Sequence, residues 1–501
     1  MPSIGIVIMG IVAKQSGWIM LSGYVGTLLG ALNAFLLFPM TFPDDPGFMG
    51  VVRWMISTAM IVGAFAHWGW PQAMVTWLPK IPQGSHRYLL RFGRNLLSLT
   101  LLVLLLLGYW LGDEALSQLV IGHWPDAMVA VMWLLVAAYV FFELYASQLI
   151  HRQEVILPYV LKDSGRKLSI SILLLLTMFG VLDFQQMIAG IVISFLLQAI
   201  WVGHRALKTL PPASQETVAV KPIVTYALTM VLTSVAAMMF GQLDILMIGA
   251  WLGMVAVAHY AIAFNFGIVV AIPMKAMNAS LRPIIAKLVA EESWEELKSL
   301  GLRSLASQWM LSSFIFLMVL TIAPWMFAWL PPAYQGGESA VLWVSAAQLI
   351  HVITGPSGLV LVTSKLYRWG LFANGLMLAV AFGLGYYWIP DHGVVGASQV
   401  FFVAVLSYNA LKLVALYRLS GHVWMDARFM LAFAWTLLGL AAWLAWGQAQ
   451  VLPDQLWTLS TWMTMGLHWL LGLLWFAIAL YGFKLAPDVN AMIRRINPLR
   501  S

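Results

Sequence analysis

Long apolar segments alternate with short polar ones along almost the whole chain. The uncharged runs 95–112 and 429–452 are close to or above the roughly 20 residues that a helix needs to cross a bilayer. Within each run the apolar residues are continuous and do not alternate with polar ones, which argues against the strands of a membrane barrel. The pattern therefore predicts an all-α polytopic membrane protein.

Each run, taken between its charged residues or Pro and Gly breaks, gives one predicted helix. The sequence yields about fourteen transmembrane spans. They are predicted at 17–39, 48–68, 92–111, 127–148, 169–183, 186–203, 222–249, 254–276, 303–328, 339–362, 370–388, 394–417, 429–448 and 458–483. Because this number is even, both termini lie on the same side of the membrane in the predicted topology.

Positive charges collect on one side of this topology. With the N-terminus in the cytoplasm, every Lys and Arg except Arg53 falls in a cytoplasmic loop or at a helix end facing the cytoplasm. The main groups are 80–94, 151–167, 204–221, Lys275, Lys412 and the tail 492–501. An excess of Lys and Arg in short loops marks the cytoplasmic face, so we expect a multi-pass membrane protein with both termini cytoplasmic. The net charge of +7 is then a topology signal and does not favour a nucleic-acid partner.

Composition narrows the chemistry. Hydrophobic residues make up 61% of the chain and charged residues 9%, and there is no cysteine, which excludes disulfides and thiolate metal sites. The sequence has no P-loop, no HExxH motif and no loop with paired carboxylates. A membrane glycan polymerase or ligase needs a large loop carrying catalytic groups, and that class is disfavoured. We therefore expect no enzymatic activity, no bound metal and no cofactor, with Na⁺ or H⁺ as candidate coupling ions.

A linker rich in Pro, Ser, Thr and Ala divides the chain. It predicts an N-terminal lobe at 1–208, a cytoplasmic linker at 209–221, a C-terminal lobe at 222–420, and two extra helices with a basic tail at 421–501. The two lobes show an internal repeat. Gly30 to Leu37 aligns with Gly241 to Ile248, and Gly47 to Trp54 aligns with Gly253 to Tyr260. The repeats run in the same direction, which predicts a ligand site near their interface.

The repeat pairs polar positions. Asn33 lies opposite Asp244, Arg53 opposite His259, and Trp54 opposite Tyr260. Ionisable residues inside a membrane segment are costly and usually mark a functional position. These six residues are therefore candidates for the site.

Two segments carry a resemblance to a known family. "LDILMIGAWLGMVAVAHYAIAFN" (Leu243 to Asn265) and "WIPDHGVVGASQV" (Trp388 to Val400) are similar to motifs of the multidrug/oligosaccharidyl-lipid/polysaccharide (MOP) exporter superfamily. The resemblance is greatest to its polysaccharide flippase branch, the Wzx type. It implies two pseudo-symmetric six-helix lobes around a central cavity, two additional C-terminal helices, and transport by alternating access.

The resemblance also implies a substrate and partners. The substrate would be an undecaprenyl-pyrophosphate-linked oligosaccharide, moved from the cytoplasmic to the periplasmic leaflet of a bacterial inner membrane. Membrane lipids and polysaccharide polymerase machinery would be the partners. Drug exporters of the superfamily often carry an acidic residue in the first span, where this chain has Asn33, which weakens the case for proton coupling through the first lobe.

Asp244 allows three interpretations. It could bind a cation or proton, with Asn374 as an oxygen-donor neighbour suggested by the family. It could form a gate by pairing with Arg53, which is predicted at a similar depth. It could also be a structural carboxylate held by hydrogen bonds at a helix interface.

Each of the other candidates allows two interpretations, a contact with the substrate and a structural role. Arg53 suits a pyrophosphate because guanidinium binds phosphate oxygens bidentately, but arginines near helix ends also snorkel to the interface. His259 would contact phosphate or sugar, or simply pack. Lys275 and Arg282 would attract the headgroup on entry, or only satisfy the positive-inside rule. Trp54 and Tyr260 would stack on sugar rings, or anchor helices at the interface.

Three functions fit the resemblance. The first is a flippase of lipid-linked oligosaccharides, and the alternatives within the superfamily are a lipid II flippase and a cation-coupled multidrug exporter. A drug exporter would favour an acidic cavity, whereas the basic candidates suit a pyrophosphate. The sequence therefore favours a polysaccharide flippase.

Overall fold

The computed structural model describes residues 18–19, 21–119, 126–212, 218–239, 241–364, 367–421, 425–446 and 459–479. Every regular element in these ranges is a helix. Eight of the helices are long and apolar enough to cross a membrane, or up to ten if each of two bent helix pairs forms one span. The expected all-α membrane class is confirmed, and the count of fourteen spans stays a prediction.

The chain divides into two compact units, residues 1–258 and 259–501. The helices of the first unit are α1 (Leu21–Thr41), α2 (Gly47–Ala66), α3 (Trp70–Trp77), α4 (His86–Leu119), α5 (Asp126–His151), α6 (Ile156–Val160), α7 (Arg166–Met178), α8 (Phe184–Lys208), α9 (Val220–Met239) and α10 (Leu243–Leu252). Two π-helical turns interrupt this regular pattern. One is Asn33–Leu37 within α1, and the other is Leu161–Gly165, which joins α6 to α7.

Helix α5 is the centre of the first unit. It packs against α2, α3, α4 and α8. Its buried residues Phe142, Ala146 and Leu149 recur at helical spacing and meet Ala199 and Val202 of α8. This packing brings the middle of α5 into an apolar interior, so any charged side chain there needs a partner.

Helices α2 and α10 approach each other closely. A Cβ atom built on Gly50 would lie 1.8 Å from the backbone oxygen of Met254, and one on Gly249 would lie 2.4 Å from the Trp54 ring. At the other end of the contact, the Ser57 hydroxyl donates a 2.6 Å hydrogen bond to the Gln242 side-chain oxygen. The two glycines remove the side chains that would separate the helices, and they fix the register of α2 on α10.

The second unit contains the helices α11 (Met254–Val270), which begins at the boundary, α12 (Ile272–Ala290), α13 (Trp294–Trp329), α14 (Glu338–Val352), α15 (Gly355–Thr363), α16 (Tyr367–Ser420), α17 (Ala427–Trp446) and α18 (Leu459–Ala477). Its main contacts join α14 to α16 and to α13, and α12 to α13 and α15. Helices α17 and α18 pack against α13. The long helix α13 therefore links the interior of the unit to its two C-terminal helices.

Three helices of the second unit are broken. The pair α11 and α12 bends by 48°, and the pair α14 and α15 bends by 56°. Helix α16 is interrupted at Gly393, whose φ of 60° is strained for any residue with a Cβ. Breaks of this kind leave backbone groups unpaired, and at membrane depth they are tolerated where protein or a hydrated cavity satisfies them.

The division by packing differs from the division expected at the linker. The seventh predicted span corresponds to α9 and α10, and these helices pack against α2 and α3 of the first unit. The compact units divide after Ala258, and the domain division expected at the linker 209–221 stays a prediction. The expected arrangement of two pseudo-symmetric six-helix lobes with two extra helices stays a prediction.

The α2–α10 contact gives a test of this packing. We expect Gly50→Ala to destabilise the protein by about 1–3 kcal/mol, because the new methyl group meets a backbone atom that cannot rotate away. Gly383→Ala is the matched control, since nothing lies within 4 Å of a Cβ at that position in α16. Thermal unfolding in detergent should show a lower midpoint for the first variant alone. Equal midpoints for both variants would contradict the close approach.

Candidate functional site

Asp244 and Arg53 both belong to the α2–α10 contact of the first unit. Asp244 lies in the first turn of α10, is half-buried, and its carboxylate accepts a 2.9 Å hydrogen bond from the backbone N–H of Ile245. Arg53 is half-buried on α2, and its backbone oxygen lies 2.9 Å from the Ser57 hydroxyl oxygen. Both ionisable groups thus stand at the edge of one helix–helix interface.

The register of the two helices brings these groups close in height. Ser57 bonds to Gln242, and Arg53 is one helical turn from Ser57 while Asp244 is two residues from Gln242. Trp54, the next residue after Arg53, is buried against Gly249 on the same interface. The arginine and the aspartate therefore flank one interhelical hydrogen bond, which suits the gate interpretation of their roles.

Asn33 is tied to α7 within the first unit. It lies in the π-helical turn of α1, where it is 6% exposed, and its amide donates a 3.1 Å hydrogen bond to the Lys167 backbone oxygen. The Ser171 hydroxyl donates a 2.6 Å hydrogen bond to its amide oxygen. These bonds give Asn33 a structural function at the α1–α7 contact, and its role in ion coupling stays a prediction.

A charged cluster lies inside the first unit around Glu143 of α5, a residue for which the sequence allows either pairing with a neighbouring helix or a position in the cavity lining. Lys162, in the π-helical turn before α7, pairs with Glu143 of α5 at 2.6 Å. Their side chains are 31% and 19% exposed. Arg166, at the start of α7, is 8% exposed and lies in the electrostatic field of Glu143. His67, which follows α2, also faces Glu143. The Glu143 carboxylate thus interacts with Lys162 in the π-helical turn and with Arg166 in α7.

Aromatic rings complete the surroundings of Arg166. Its guanidinium lies 4.6 Å from the ring centre of Phe142, 4.9 Å from that of Phe195 and 5.7 Å from that of Tyr139. Cation–π contacts become stronger when the cation is removed from water. The rings and Glu143 together allow a guanidinium to remain charged within the packed helices of α5, α7 and α8.

The sequence held a signal for this cluster. Lys162 and Arg166 are four residues apart, so on a helix they share one face. Both residues are predicted in a cytoplasmic loop, 151–167, because charged residues there satisfy the positive-inside rule. Helix structure in fact begins at Ile156, and the π-helical turn directs this face toward α5. A π-helical turn cannot be read from residue types alone.

His259 and Tyr260 occupy interior positions of the second unit. The His259 ring forms a 2.8 Å hydrogen bond with the Ala333 backbone oxygen and packs on Gly336 and Gly337. Tyr260 is fully buried, with its ring centre 5.9 Å from that of Phe264. These contacts favour packing functions for both residues, and their expected contacts with substrate stay predictions.

Lys275 and Arg282 are exposed on α12, whereas Asn374 is half-buried on α16. Because Lys275 and Arg282 are exposed, both cations are available to an anion. Asn374 belongs to the second unit and Asp244 to the first, and a shared cation site for this pair stays a prediction. Among the described residues, no group of three or more His, Asp or Glu side chains is arranged to hold a metal ion.

Comparison with known proteins identifies the architecture. No protein-family model matches the sequence, and no curated protein matches it. Among solved structures, the lipid II flippase MurJ in an inward closed conformation is similar, with a TM-score of 0.73 and 11% identity over 93% of this chain and 98% of that one. The chain has the fold of MurJ. The Vibrio cholerae MATE transporter VcmN is similar in a mutant form, with a TM-score of 0.53 and 15% identity over 82% of this chain and 98% of that one.

The likeness to MurJ and to VcmN is one of fold, and the superfamily suggested by the sequence motifs stays a prediction. The bent form of VcmN, with a TM-score of 0.51 and 14% identity over 83% of this chain and 100% of that one, gives the same result. The three solved structures are those of a flippase and a transporter, not of enzymes. At these identities the likeness shows the fold, which is that of a multi-pass membrane transporter.

The Glu143 cluster generates a prediction about stability. Glu143→Gln removes the carboxylate that pairs with Lys162 and acts on Arg166, so that among the described residues only Asp163 still acts on both cations. We expect it to cost roughly 2–3 kcal/mol, between the values for exposed and fully buried pairs. Glu154→Gln is the matched control, because it breaks the 2.9 Å pair with Arg205, whose side chain is 54% exposed. The control should change stability by less than about 1 kcal/mol.

Chemical denaturation or thermal unfolding of the purified variants measures the difference. A double variant, Glu143→Gln with Lys162→Met, should recover part of the loss because it removes one stranded charge. If Glu143→Gln and Glu154→Gln were equally stable, the buried cluster would not be an energetic element of the fold.

Proposed function

We propose that this protein is a flippase that moves a polyprenyl-pyrophosphate-linked oligosaccharide from the cytoplasmic to the periplasmic leaflet by alternating access. The observation that carries the proposal is the likeness to the flippase MurJ over 93% of this chain. Alternating access would be coupled to Na⁺ or H⁺, with the Asp244 region as the coupling or gating element. Polysaccharide polymerase machinery would use the product on the periplasmic side.

An apolar groove on the second unit supports a lipid-linked substrate. It has a volume of about 290 Å³ and lies between α13, α17 and α18. Its walls include Leu317, Met318, Trp435 and Trp475, and its polar lining residues are hydroxyl-bearing Ser and Thr. A groove without charge suits a hydrocarbon chain, because burying apolar surface there costs no polar desolvation.

Two glycines open this groove. A Cβ on Gly439 would lie 2.6 Å from Leu317, and one on Gly472 would lie 2.1 Å from Met318. The stacked rings of Trp435 and Trp475, with centres 4.1 Å apart, form the wall beside them. Small residues thus let large side chains of α13 lie between α17 and α18, which gives the groove its shape.

The extent of the structural likeness also bears on the substrate. MurJ matches 93% of this chain and the VcmN mutant 82%, a difference of 11 percentage points, or about 55 residues. This is similar in size to the region from Ala427 to Ala477 that contains α17 and α18. The proposal assigns these helices to lipid handling, and a lipid II flippase is the second candidate because MurJ carries that name.

A multidrug exporter is the remaining candidate in the same superfamily, since the MATE transporter VcmN shares the fold. Cationic drugs need acidic partners within the cavity. In the second unit the described interior carries lysine and histidine, whereas Glu291, Glu292 and Glu295 are exposed. This charge distribution suits an anionic headgroup better than a cation.

The first test measures the sidedness of polyprenyl-pyrophosphate-linked glycan in host cells with and without the gene. We expect glycolipid to accumulate on the cytoplasmic leaflet without the protein, to be released by wild type, and to be released about tenfold or more slowly by Asp244→Asn, because a charge at membrane depth is seldom replaceable. Expression and membrane insertion of the variant should be normal.

Correct glycolipid placement without the gene, together with increased sensitivity to cationic drugs, would replace the flippase with a drug exporter. A defect confined to lipid II would select the second candidate.

A charge exchange separates the interpretations of Asp244. Arg53→Asp combined with Asp244→Arg should restore transport relative to each single variant if the two residues form a gate. A cation site at Asp244 would not be restored by the exchange, since an arginine cannot bind Na⁺ or release a proton. Wild-type transport by Asp244→Asn at all pH values and Na⁺ concentrations would contradict both interpretations.

The groove generates a further prediction. Gly439→Leu should narrow the groove and reduce transport of lipid-linked glycan by about tenfold, which corresponds to roughly 1.4 kcal/mol. Gly466→Leu is the matched control on α18, because a Cβ there has nothing within 4 Å. Transport in reconstituted vesicles, with substrates of long and shortened polyprenyl chains, measures the effect. Equal rates for the two variants would remove the groove from the transport path.

A further inference from the structure

A lysine lies inside the second unit without a counter-ion among the described residues. Lys412 of α16 is 8% exposed, although the sequence analysis counted it as a helix-end residue facing the cytoplasm. It forms no salt bridge within the described part of the chain, and no carboxylate contributes to its electrostatic surroundings. A buried ammonium without an anion is unfavourable, so its retention calls for a partner.

The contacts of Lys412 are all neutral. Its ammonium donates a 3.1 Å hydrogen bond to the Thr354 hydroxyl and lies 4.8 Å from the centre of the Tyr408 ring. Thr354 in turn donates to the side-chain oxygen of Asn409, whose amide donates to the Val405 backbone oxygen. The ammonium is the first donor in this chain of hydrogen bonds. Two of its three N–H groups have no acceptor within the described residues.

The Lys412 ammonium lies against the first turn of α15. A Cβ on Gly358 would lie 2.7 Å from the Lys412 nitrogen, so only a residue without a side chain lets the ammonium come this close to the backbone of α15. Thr354 occupies the N-cap position of α15, but its hydroxyl does not cap that helix. The N–H groups of Gly355 and Ser357 and the positive end of the α15 dipole are therefore directed to the break between α14 and α15, whereas Pro356 between them has no N–H.

Two further basic groups belong to the same region. The His351 ring at the end of α14 has its centre 5.8 Å from that of Tyr408, and the charges of Lys412 and Lys275 both act on it. Lys275 is exposed on α12. The charges of the buried Lys412 and the exposed Lys275 therefore act on one place, the ring of His351.

We propose that Lys412, Thr354, His351 and Lys275 form an oxyanion site for a phosphoryl group at the break between α14 and α15. Lysine is a compact, strongly charged phosphate ligand, and a hydroxyl and the N-terminus of a helix complete the usual set of donors. The predicted topology places this site in the cytoplasmic half of the membrane. Resting on the proposed function, we assign it the pyrophosphate of the lipid-linked substrate when it enters from the cytoplasmic leaflet.

The test uses the full-length protein in nanodiscs, with inorganic pyrophosphate or polyprenyl pyrophosphate as the probe. We expect either probe to raise the unfolding temperature of the wild type by about 3 °C. In Lys412→Met this rise should disappear, while the probe-free variant should be at least as stable as wild type because a stranded charge is gone. Lys287→Met, which removes an exposed lysine paired with Glu291 on α12, should keep the full rise.

Two further variants test whether the response to pyrophosphate arises at the proposed site. Lys275→Met changes an exposed residue and should fold normally, and we expect it to weaken the response without abolishing it. A basic cleft of the first unit, lined by Arg87, Arg91 and Arg94, could also attract pyrophosphate. Arg91→Gln should leave the response that depends on Lys412 intact. A purely structural lysine would give the opposite pattern, with lower stability in Lys412→Met and an unchanged rise with pyrophosphate, and this result would overturn the proposal.

The outcomes distinguish a lipid headgroup from a free phosphate as the source of the anion. They also separate the oxyanion site from the proposed flippase function. A response to both probes that depends on Lys412 supports a headgroup site. A response to inorganic pyrophosphate alone supports the oxyanion site but assigns it to a free phosphate. If the Lys412-dependent response occurs and the glycolipid still does not change leaflet, the proposed function fails and the oxyanion site stands. The absence of a response to either probe in the wild type would overturn the site.

Discussion

An ionised side chain among apolar helices needs an opposite charge, an aromatic face or hydrogen-bond partners of its own, and the first unit meets this need from within. Glu143 pairs with Lys162 at 2.6 Å, and the guanidinium of Arg166 lies against three aromatic rings in the field of the same carboxylate. Helices α5, α7 and α8 are therefore held by charge as well as by packing. Separating them would strand a cation, so this part of the unit should move as one body.

Within the part of the chain that the structure describes, the buried charge of the second unit has neutral neighbours only. Lys412 has a hydroxyl and an aromatic ring as neighbours but no carboxylate among the described residues. It lies beside the break between α14 and α15, a pair bent by 56°, whereas the Glu143 cluster lies beside a continuous helix, α5. A broken helix and an uncompensated cation are both unfavourable alone. A phosphoryl ligand would offset both, which gives the bend a physical reason in the proposed cycle.

The sequence predicted the helical class because apolar runs of membrane length leave few alternatives, and the superfamily that two short motifs suggest stays a prediction. It could not predict which charged residues are buried. Lys162, Arg166 and Lys412 all satisfied the positive-inside rule, so their charges appeared to be explained by topology. Their burial depends on a π-helical turn and on a break between helices, and both depend on tertiary packing that residue types do not reveal.

The same limit applies to the repeat. Pairing Asn33 with Asp244 and Arg53 with His259 treated the two halves as chemically equivalent. In the structure Asn33 binds α7, and His259 binds the Ala333 backbone oxygen, whereas Arg53 and Asp244 flank one hydrogen bond between α2 and α10. The aligned positions thus carry different chemistry. In the proposed flippase this asymmetry would be useful, since a substrate whose pyrophosphate is the missing anion of one unit would alter that unit's electrostatics and leave the internally paired unit unchanged. Binding energy would then act on the broken helices, the elements with the weakest internal bonding.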